Sequence, residues 1–363
     1  MATVLETEAV VPMCSEKIRS ATQPVCPLCG GEGGFVYQGL SDRAFDAPGS
    51  WNLRSCENSQ CGILWLDPMP LEEDIWKAYR SYYTHSEMES GEVRSDIFRR
   101  MFRRYMAFVK ASYLEKKYEY GSAEKNWLYP PARWAASLMP WRRAEWDMSV
   151  MYLPHRPGGK LLELGCGGGD LLSSFSAHGW EAEGLDVDPK AIENGKRKGL
   201  NVRLGKIEDL RYPANHFDAI VMVHVIEHIH DPRRLFEECR RILKPGGQLS
   251  FVTPNCGSFL HRVFGRAWFP LEPPRHLHIF SVDAITKLLR EAGFETAHAF
   301  TTVRDADGLV AASRSIQRTG RFRMGSAQPR RIRVVARILQ ICEAALMTFV
   351  GSLGEELTGI ARK

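Results

Sequence analysis

The chain has 363 residues, a formal net charge of +5, 44% hydrophobic and 25% charged residues, which is typical of a globular protein with one large and one small domain. No apolar run reaches the roughly 18 to 20 residues of a membrane span, and the first 20 residues lack the apolar core of a secretory signal. These features argue against membrane-spanning and secreted proteins and predict a cytoplasmic location. The modest charge does not by itself indicate nucleic-acid binding.

The N-terminal sixth is predicted to be a disordered tail, residues 1–22, followed by a zinc-binding module, residues 23–70. The module contains a C-x2-C and a C-x4-C pair, and a glycine follows each pair, so two knuckles can close one tetrahedral thiolate site. Four thiolates leave no open position, so the Zn2+ is expected to be structural. The alternative is a set of spare reduced cysteines, and Cys14 lies too far out in the tail to rank as a ligand. The predicted ligands are Cys26, Cys29, Cys56 and Cys61.

The rest of the chain divides into a helical, aromatic-rich region and an α/β domain. Residues 71–150 are predicted to form mostly helices, interrupted by prolines, and to act as a substrate lid. From residue 151 to 363 strand-like and helix-like segments alternate, which predicts a parallel sheet with helices on both faces. A helical insert is expected at about 303–354, and a short final strand follows it.

The stretch "LLELGCGGGDLL", residues 161–172, joins a predicted strand to a helix through a glycine loop. A loop of this kind exposes backbone N–H groups to a ligand. Its spacing is E-x-G-x-G-x-G, one residue short of the dinucleotide fingerprint. Glu163 would repel a pyrophosphate but suits a cationic amino group, and Asp186 at the end of the next strand can accept both ribose hydroxyls.

These features, together with "GLDVDP", "GKIEDL", "FDAIVMVHVIEHIHDP" and "LKPGGQLSFVTPN", resemble the class I S-adenosylmethionine-dependent methyltransferases over residues 155–302. The resemblance implies a Rossmann-like, seven-stranded sheet whose last strand, "GIARK", is antiparallel. It also implies S-adenosyl-L-methionine as the cofactor. The implied contacts are Glu163, Gly165, Cys166, Gly167, Asp186, Val187, Ile207, Glu208 and His224.

Two stretches could supply catalytic groups because each follows a strand at its carboxyl end. In "HVIEHIH", His224 is expected nearest the methyl sulfur, whereas Glu227 and His228 either take part or tie the turn to the sheet. In "FGRAWFPLEPPRHLHIFS", which resembles a family segment, His276 is the predicted base, with a loop-anchoring role as its alternative. Glu272 or Glu227 would orient this histidine, and Arg275 could pair with an anionic substrate group.

A zinc module before such a core resembles bacterial methyltransferases that act on sugars and other small metabolites. The sequence thus predicts methyl transfer to a small-molecule acceptor, a sugar derivative or secondary metabolite, with oxygen favoured and carbon or nitrogen open. One alternative is an RNA methyltransferase that grips nucleic acid with the zinc module, although the module has few cations. The other is a zinc scaffold with a vestigial methyltransferase fold. The oligomeric state is not predicted.

Residues 318–337 contain seven arginines and no acidic residue, and an amphipathic helix is predicted at about 332–350. One interpretation is a peripheral contact with a membrane surface. The other is a flexible basic loop followed by a helix that packs on the catalytic domain.

Overall fold

The structure is a computed structural model, and it describes residues 17–80, 97–121, 134, 139–304, 306–323 and 330–363. Most of the predicted N-terminal tail, including Cys14, lies outside the described residues, as do parts of the predicted lid and the centre of the basic stretch. None of the helices in the described ranges combines the length and the apolarity that crossing a bilayer requires.

The N-terminal module is a small antiparallel β-structure. Strand β1 pairs with β5, so residues 20–21 are ordered, and the predicted end of the tail at residue 22 is wrong. Strands β2, β3 and β4 pair in that order within a second sheet. The five strands are β1 (Ser20–Ala21), β2 (Gly33–Leu40), β3 (Trp51–Cys56), β4 (Leu64–Leu66) and β5 (Met69–Pro70).

The described part of the predicted lid is mostly helical. It contains a 3-10 turn, Ile75–Tyr79, and two helices, α1 (Ile97–Tyr118) and α2 (Pro140–Met148). Pro140 starts α2, because a proline lacks the N–H that the first turn of a helix leaves unused. α1 and α2 pack together through a cluster that includes Val109 and Trp146.

Seven strands form the main sheet, in the order β12-β13-β10-β9-β6-β7-β8. Six of them run in one direction, and β13 runs antiparallel to both of its neighbours, as predicted for the last strand. The strands are β6 (Lys160–Leu164), β7 (Glu181–Asp186), β8 (Val202–Leu204), β9 (Phe217–Val223), β10 (Leu243–Pro254), β12 (Thr296–Thr302) and β13 (Glu356–Arg362).

The helices that cover this sheet begin and end where local chemistry predicts. The Asp-Pro starts of α4 and α5 are capped by Asp188 and Asp231, whose carboxylates accept backbone N–H groups of the first turn. The predicted insert between β12 and β13 contains α8 and α9. The helices are α3 (Asp170–Ala177), α4 (Pro189–Arg197), α5 (Pro232–Ile242), α6 (Phe259–Phe264), α7 (Val282–Glu291), α8 (Ala306–Thr319) and α9 (Arg330–Leu346).

A two-residue strand joins the N-terminal module to the α/β domain. β11 (His278–Ile279) pairs antiparallel with β4, which extends the module's sheet to the order β11-β4-β3-β2. The cores also merge, because Trp65 of β4 lies in one buried cluster with Phe251 and Leu288 of the α/β domain. The segment before β11, which carries the predicted base, is therefore held by the N-terminal module.

Candidate active site

The glycine loop between β6 and α3 adopts a backbone that other residues rarely take. Gly165 and Gly167 have φ angles of 69° and 47°, in the left-handed region. A Cβ on Gly165 would lie 2.5 Å from a methyl group of Val225, so packing alone requires glycine there. A Cβ on Gly167 would meet nothing within 4 Å, so on that side the loop borders open space into which a ligand can approach the backbone.

Glu163 is the most unusual carboxylate of this loop. Its side chain is 4% exposed, and Oε2 is buried with no hydrogen-bond partner. Burial, and then repulsion from Asp186, raise the pKa of Glu163 to about 8. A buried carboxylate without a partner is costly, and a cationic donor at this position would satisfy it. The residue therefore fits the amino group of S-adenosylmethionine.

Asp186 lies where β7 ends beside the same loop. Its Oδ2 accepts the N–H of Gly167 at 2.8 Å, and its Oδ1 accepts the N–H of Asp188 at 2.9 Å. Burial raises the pKa of this carboxyl. Two backbone hydrogen bonds fix the carboxylate, while the next side chain, Val187, is 65% exposed and offers an apolar surface to a flat ring. The pair suits a ribose and its base.

The remaining predicted cofactor contacts are placed less directly. The side chain of Cys166 faces the interior, in a cluster with Leu172 and Ile192, so it can offer a ligand only its backbone. Ile207 is 4% exposed and belongs to the main core, whereas Glu208 is partly exposed. The loop that carries both is tied to the segment after the N-terminal module by an ion pair between Lys206 and Glu72.

His224 follows β9 with a φ of 52°, and its ring bridges two carboxylates. Its Nδ1 lies 3.1 Å from Glu227 Oε1, and its Nε2 lies 3.1 Å from Glu356 Oε1. Although burial lowers the pKa of His224, these hydrogen bonds raise it to about 10. The ring is therefore an imidazolium at neutral pH and cannot take a proton from a substrate. The ring of His224 thus links two carboxylates beside the loop, and its expected place nearest the methyl sulfur stays a prediction.

The 3-10 turn Ile226–His228 is anchored by its two polar side chains. Glu227 Oε2 accepts the hydroxyl of Thr253 on β10 at 2.9 Å, and the neighbouring imidazolium helps to lower its pKa to about 2 against the effect of burial. Of the two roles that the sequence leaves open for Glu227, tying the turn to the sheet is therefore the one that the geometry supports.

His228 and His276 lie face to edge, with ring centroids 4.8 Å apart. His276 Nδ1 lies 2.6 Å from the carbonyl of Pro270, and His228 Nδ1 lies 3.0 Å from the carbonyl of Arg275. Because a carbonyl only accepts, each Nδ1 must carry the hydrogen, and each Nε2 keeps its lone pair. Burial, followed by the other ring, lowers the pKa of His228 to about 4, so this ring is neutral. Two proton acceptors therefore meet here.

The loop around His276 corrects two predicted roles. The Pro270 carbonyl orients His276, whereas Glu272 Oε2 lies 3.9 Å from its Nε2, beyond hydrogen-bond range. Arg275 is fully buried, and its guanidinium donates to Asp42 of the N-terminal module at 2.7 Å and to Glu272 at 2.8 Å. A buried, paired arginine does not reach a substrate anion, so Arg275 and Glu272 join the two parts of the molecule instead.

Sequence reasoning missed several residues of this site. The Tyr79 hydroxyl accepts a hydrogen bond from His228 Nδ1, 3.1 Å away, and Arg304 pairs with Glu356, the second partner of His224. Tyr79 stands in an aromatic run after the zinc module, and Glu356 in the acidic pair before the last strand, so both motifs are visible in the sequence. Only the folded chain brings them to the ends of β9 and β10.

The four predicted zinc ligands converge. The Sγ atoms of Cys26 and Cys61 lie 3.7 Å apart and those of Cys29 and Cys56 3.4 Å apart, all four within 4.8 Å of one another. Zn–S bonds of about 2.3 Å in a tetrahedron place sulfurs about 3.8 Å apart, so the cluster fits Zn2+.

Both knuckles close on glycines in the left-handed region, Gly30 and Gly62. The second knuckle is fixed to the α/β domain, because the Ser281 hydroxyl donates to the Cys61 carbonyl at 2.5 Å. Among the described residues one other group could hold a metal, formed by Glu227, His228 and His276.

The sheet order is that of the class I S-adenosylmethionine-dependent methyltransferase fold. Residues 140–299, less than half of the chain, match the profile of a family described as a methyltransferase domain. The cofactor expected from the sequence is supported by this family, whereas Zn2+ is suggested by the cysteine cluster alone.

Curated relatives share this part of the chain. It is similar to the ubiquinone biosynthesis O-methyltransferases of Cereibacter sphaeroides, with 31% identity over 164 residues, and of Thiobacillus denitrificans, with 32% over 154 residues. These matches cover 42% and 38% of this chain and 66% of each relative, just under two thirds of their length.

Solved structures show a weaker likeness. An S-adenosylmethionine-dependent methyltransferase from Archaeoglobus fulgidus is 20% identical, with a TM-score of 0.41 and coverage of 71% of this chain and 99% of that chain.

Zinc content tests the cysteine cluster. We expect about one equivalent of zinc per chain by elemental analysis of the full-length protein, and less than about half an equivalent in Cys61→Ser, because three thiolates no longer close a tetrahedron. Cys342→Ser is the matched control, since Cys342 is exposed and lies outside the cluster. A wild-type protein from metal-replete cells without zinc would contradict the assignment.

Proposed function

We propose that this protein is an S-adenosylmethionine-dependent O-methyltransferase that acts on a small-molecule acceptor. The observation that carries the proposal is the buried, unpartnered Oε2 of Glu163 beside a glycine loop that Asp186 also borders. The loop, the two acids and the exposed Val187 together suit the amino group, the ribose and the base of the cofactor. The O-methyltransferase names of the curated relatives support oxygen as the acceptor atom.

Bound S-adenosylmethionine would supply a methyl group on a positively charged sulfur. The displacement forms a bond between the acceptor oxygen and the methyl carbon, breaks the carbon–sulfur bond and leaves a proton to be removed from the hydroxyl. We propose His276 and His228 for that step, since each Nδ1 is bonded to a carbonyl, which leaves Nε2 of the neutral ring as the proton acceptor. His276 remains our first choice for the base, and His228 is its neighbour.

The N-terminal module has a positioning role in this proposal. Zn2+ would cross-link the module of residues 23–70, and this module would hold the His276 segment through β11. Residues 71–150 would cover the acceptor as a lid over the catalytic domain of residues 151–363. Tyr79, at the end of the first turn of that lid, touches His228. A sugar derivative or secondary metabolite is the acceptor class that the zinc-bearing arrangement favours.

The two rival functions receive less support. RNA binding by the zinc module would need free cations, but Arg54 is engaged with Asp67 at 2.6 Å, and Arg43 donates to the carbonyl of Arg266. A vestigial scaffold would have no reason to keep Glu163 buried beside the glycine loop with its Oε2 unpartnered, because an unsatisfied buried polar atom costs stability.

Binding of S-adenosylhomocysteine tests the cofactor site. We expect calorimetry to detect binding by the wild type and a loss of about 10- to 100-fold in Asp186→Asn and Asp186→Ala, because a charge-assisted hydrogen bond to the ribose is lost. Asp170→Asn is the control, since its carboxylate is exposed and pairs only with Lys198. Absence of heat with the folded wild type would overturn the proposal.

The proton of Glu163 gives a second test. With a pKa of about 8, this carboxyl is protonated at pH 7 without ligand, and pairing with an ammonium group favours the carboxylate. Binding of S-adenosylhomocysteine should therefore release about one proton at pH 7, and affinity should rise from pH 6 to 8 by up to about tenfold per unit. Calorimetry in two buffers of different ionisation heat measures the release.

The matched variants separate Glu163 from its neighbour. Glu163→Gln should bind more weakly and without proton release, whereas Asp186→Asn should still release the proton. Proton uptake on binding, or a release that survives in Glu163→Gln, would show that Glu163 does not receive the amino group.

Methyl transfer tests the histidine pair. With a labelled methyl donor and a small-molecule extract of the source cells, His276→Gln should lower turnover about 100-fold and leave the affinity for S-adenosylhomocysteine unchanged, because only the base is lost. His228→Gln tests the neighbouring ring, and exposed His298 provides the control variant His298→Gln. Full turnover in both site variants, or turnover only after a divalent cation is added, would contradict a direct base.

A further inference from the structure

Helix α9 buries polar side chains and exposes a row of apolar ones. Its fully buried side chains are small or polar, namely Ala336, Gln340 and Glu343, each at most 2% exposed, and the partly buried Leu339 packs against the same core cluster as Ala336. Its outer side carries a stripe of exposed apolar residues, on which Ile338 is 54% and Phe349, just after the helix, 88% exposed. We call this stripe the α9 face; it comprises Val334, Val335, Ile338, Ile341, Leu346, Phe349 and Val350.

The inner contacts explain how such a helix stays attached with its apolar side outward. Gln340 Nε2 donates to the carbonyl of Val303 at 3.0 Å, and Glu343 Oε1 accepts the N–H of Glu355 at 2.9 Å. These are buried polar bonds that specify one orientation of the helix. The α9 face is therefore a fixed outer surface of the fold and not a misplaced core face.

The charge around α9 is mostly positive, and one of its arginines, Arg337, pairs with Asp307 at 3.4 Å. Residues 308–350 contain eight arginines and one acidic residue, Glu343, a formal charge of +7, whereas the whole chain carries +5, so the rest of the chain carries −2. Burial, and then repulsion from Glu355, raise the pKa of Glu343 to about 9, so this acid is neutral at pH 7. Arg331 and Arg333 are exposed next to the apolar stripe.

From this arrangement we propose that the α9 face docks on an anionic lipid surface. Apolar side chains would enter the boundary between headgroups and acyl chains, while the long arginines at the start of the helix would reach the phosphates. A nucleic acid would pair with the arginines but leave the apolar stripe in water. A second copy of this chain would bury the stripe but would place two strongly basic segments together.

The docking surface lies close to the candidate active site. Val303 and Glu355, which bond the inner face of α9, directly precede Arg304 and Glu356, the ion pair that also holds His224. Because the lipid would lie on the outer side of α9, attachment to a membrane would leave one helix, about 10 Å thick, between the lipid and the site.

Vesicle sedimentation of the full-length protein tests the proposal. We expect binding to phosphatidylcholine vesicles that contain about 30 mol% phosphatidylglycerol, and at least about tenfold weaker binding to phosphatidylcholine alone. Raising the salt from about 0.1 M to about 0.5 M should weaken the binding, because the arginine contribution is screened.

Two variants divide the surface into its components. Ile338→Ser combined with Ile341→Ser should lower the bound fraction about fivefold or more, and Arg331→Gln combined with Arg333→Gln should lower both binding and its salt dependence. Val36→Ser and Arg290→Gln are matched controls, since both residues are exposed far along the chain from α9. Affinity for S-adenosylhomocysteine should stay unchanged throughout, which separates this test from that of the cofactor site.

Three results would overturn the proposal: equal binding to neutral and anionic vesicles, variants that bind as the wild type does, or no binding at all. A dimer in solution that Ile338→Ser dissociates would assign the face to a second copy instead. Salt-sensitive binding of a single-stranded RNA probe, lost in Arg331→Gln with Arg333→Gln while vesicles are ignored, would assign it to nucleic acid.

Discussion

A buried ion-pair network around Arg275 holds the two halves of this molecule in register. The guanidinium is fully enclosed, and it bonds Asp42 of the N-terminal module, Glu272 of the loop after α6, and the carbonyl of Ala78 in the lid. A buried charge is stable only while its partners stay in place, and loss of one partner costs about 3–5 kcal/mol. The network therefore fixes three separate segments around one point, immediately beside His276.

This constraint explains why a zinc-binding module would accompany a methyltransferase fold. β11 makes only two residue pairs with β4, and a strand that short contributes little by itself. Zinc would rigidify the two cysteine knuckles on which β3 and β4 depend. Through its bonds to Asp42 and Glu272, Arg275 would then hold the loop that carries His276, the proposed base. In this arrangement the metal would help to position the acceptor without contacting it. The four thiolates therefore need no open coordination position.

The features that the sequence predicts correctly are local ones. The glycine loop, the Asp-Pro caps and the paired cysteines each need only a few neighbouring residues, and each is found where it was expected. His224 contacts Glu356, 132 positions away, and Arg275 contacts Asp42, 233 positions away. Neither contact can be predicted from the residues that neighbour these side chains in the sequence. As a result His224 is found between two carboxylates, and Arg275, which was expected to face a substrate anion, is enclosed.

Helix α9 shows a different limit of sequence reasoning. Its amphipathic period is readable, and the usual assumption turns the apolar stripe toward the protein. Here Gln340 and Glu343 find backbone partners at the edges of the sheet, so the polar side can be buried at low cost and the apolar side faces outward. Which face of α9 turns inward depends on whether the sheet offers backbone hydrogen-bond donors and acceptors at the place where the helix packs. Those partners, Glu355 just before β13 and Val303 just after β12, come into position only once the sheet has formed.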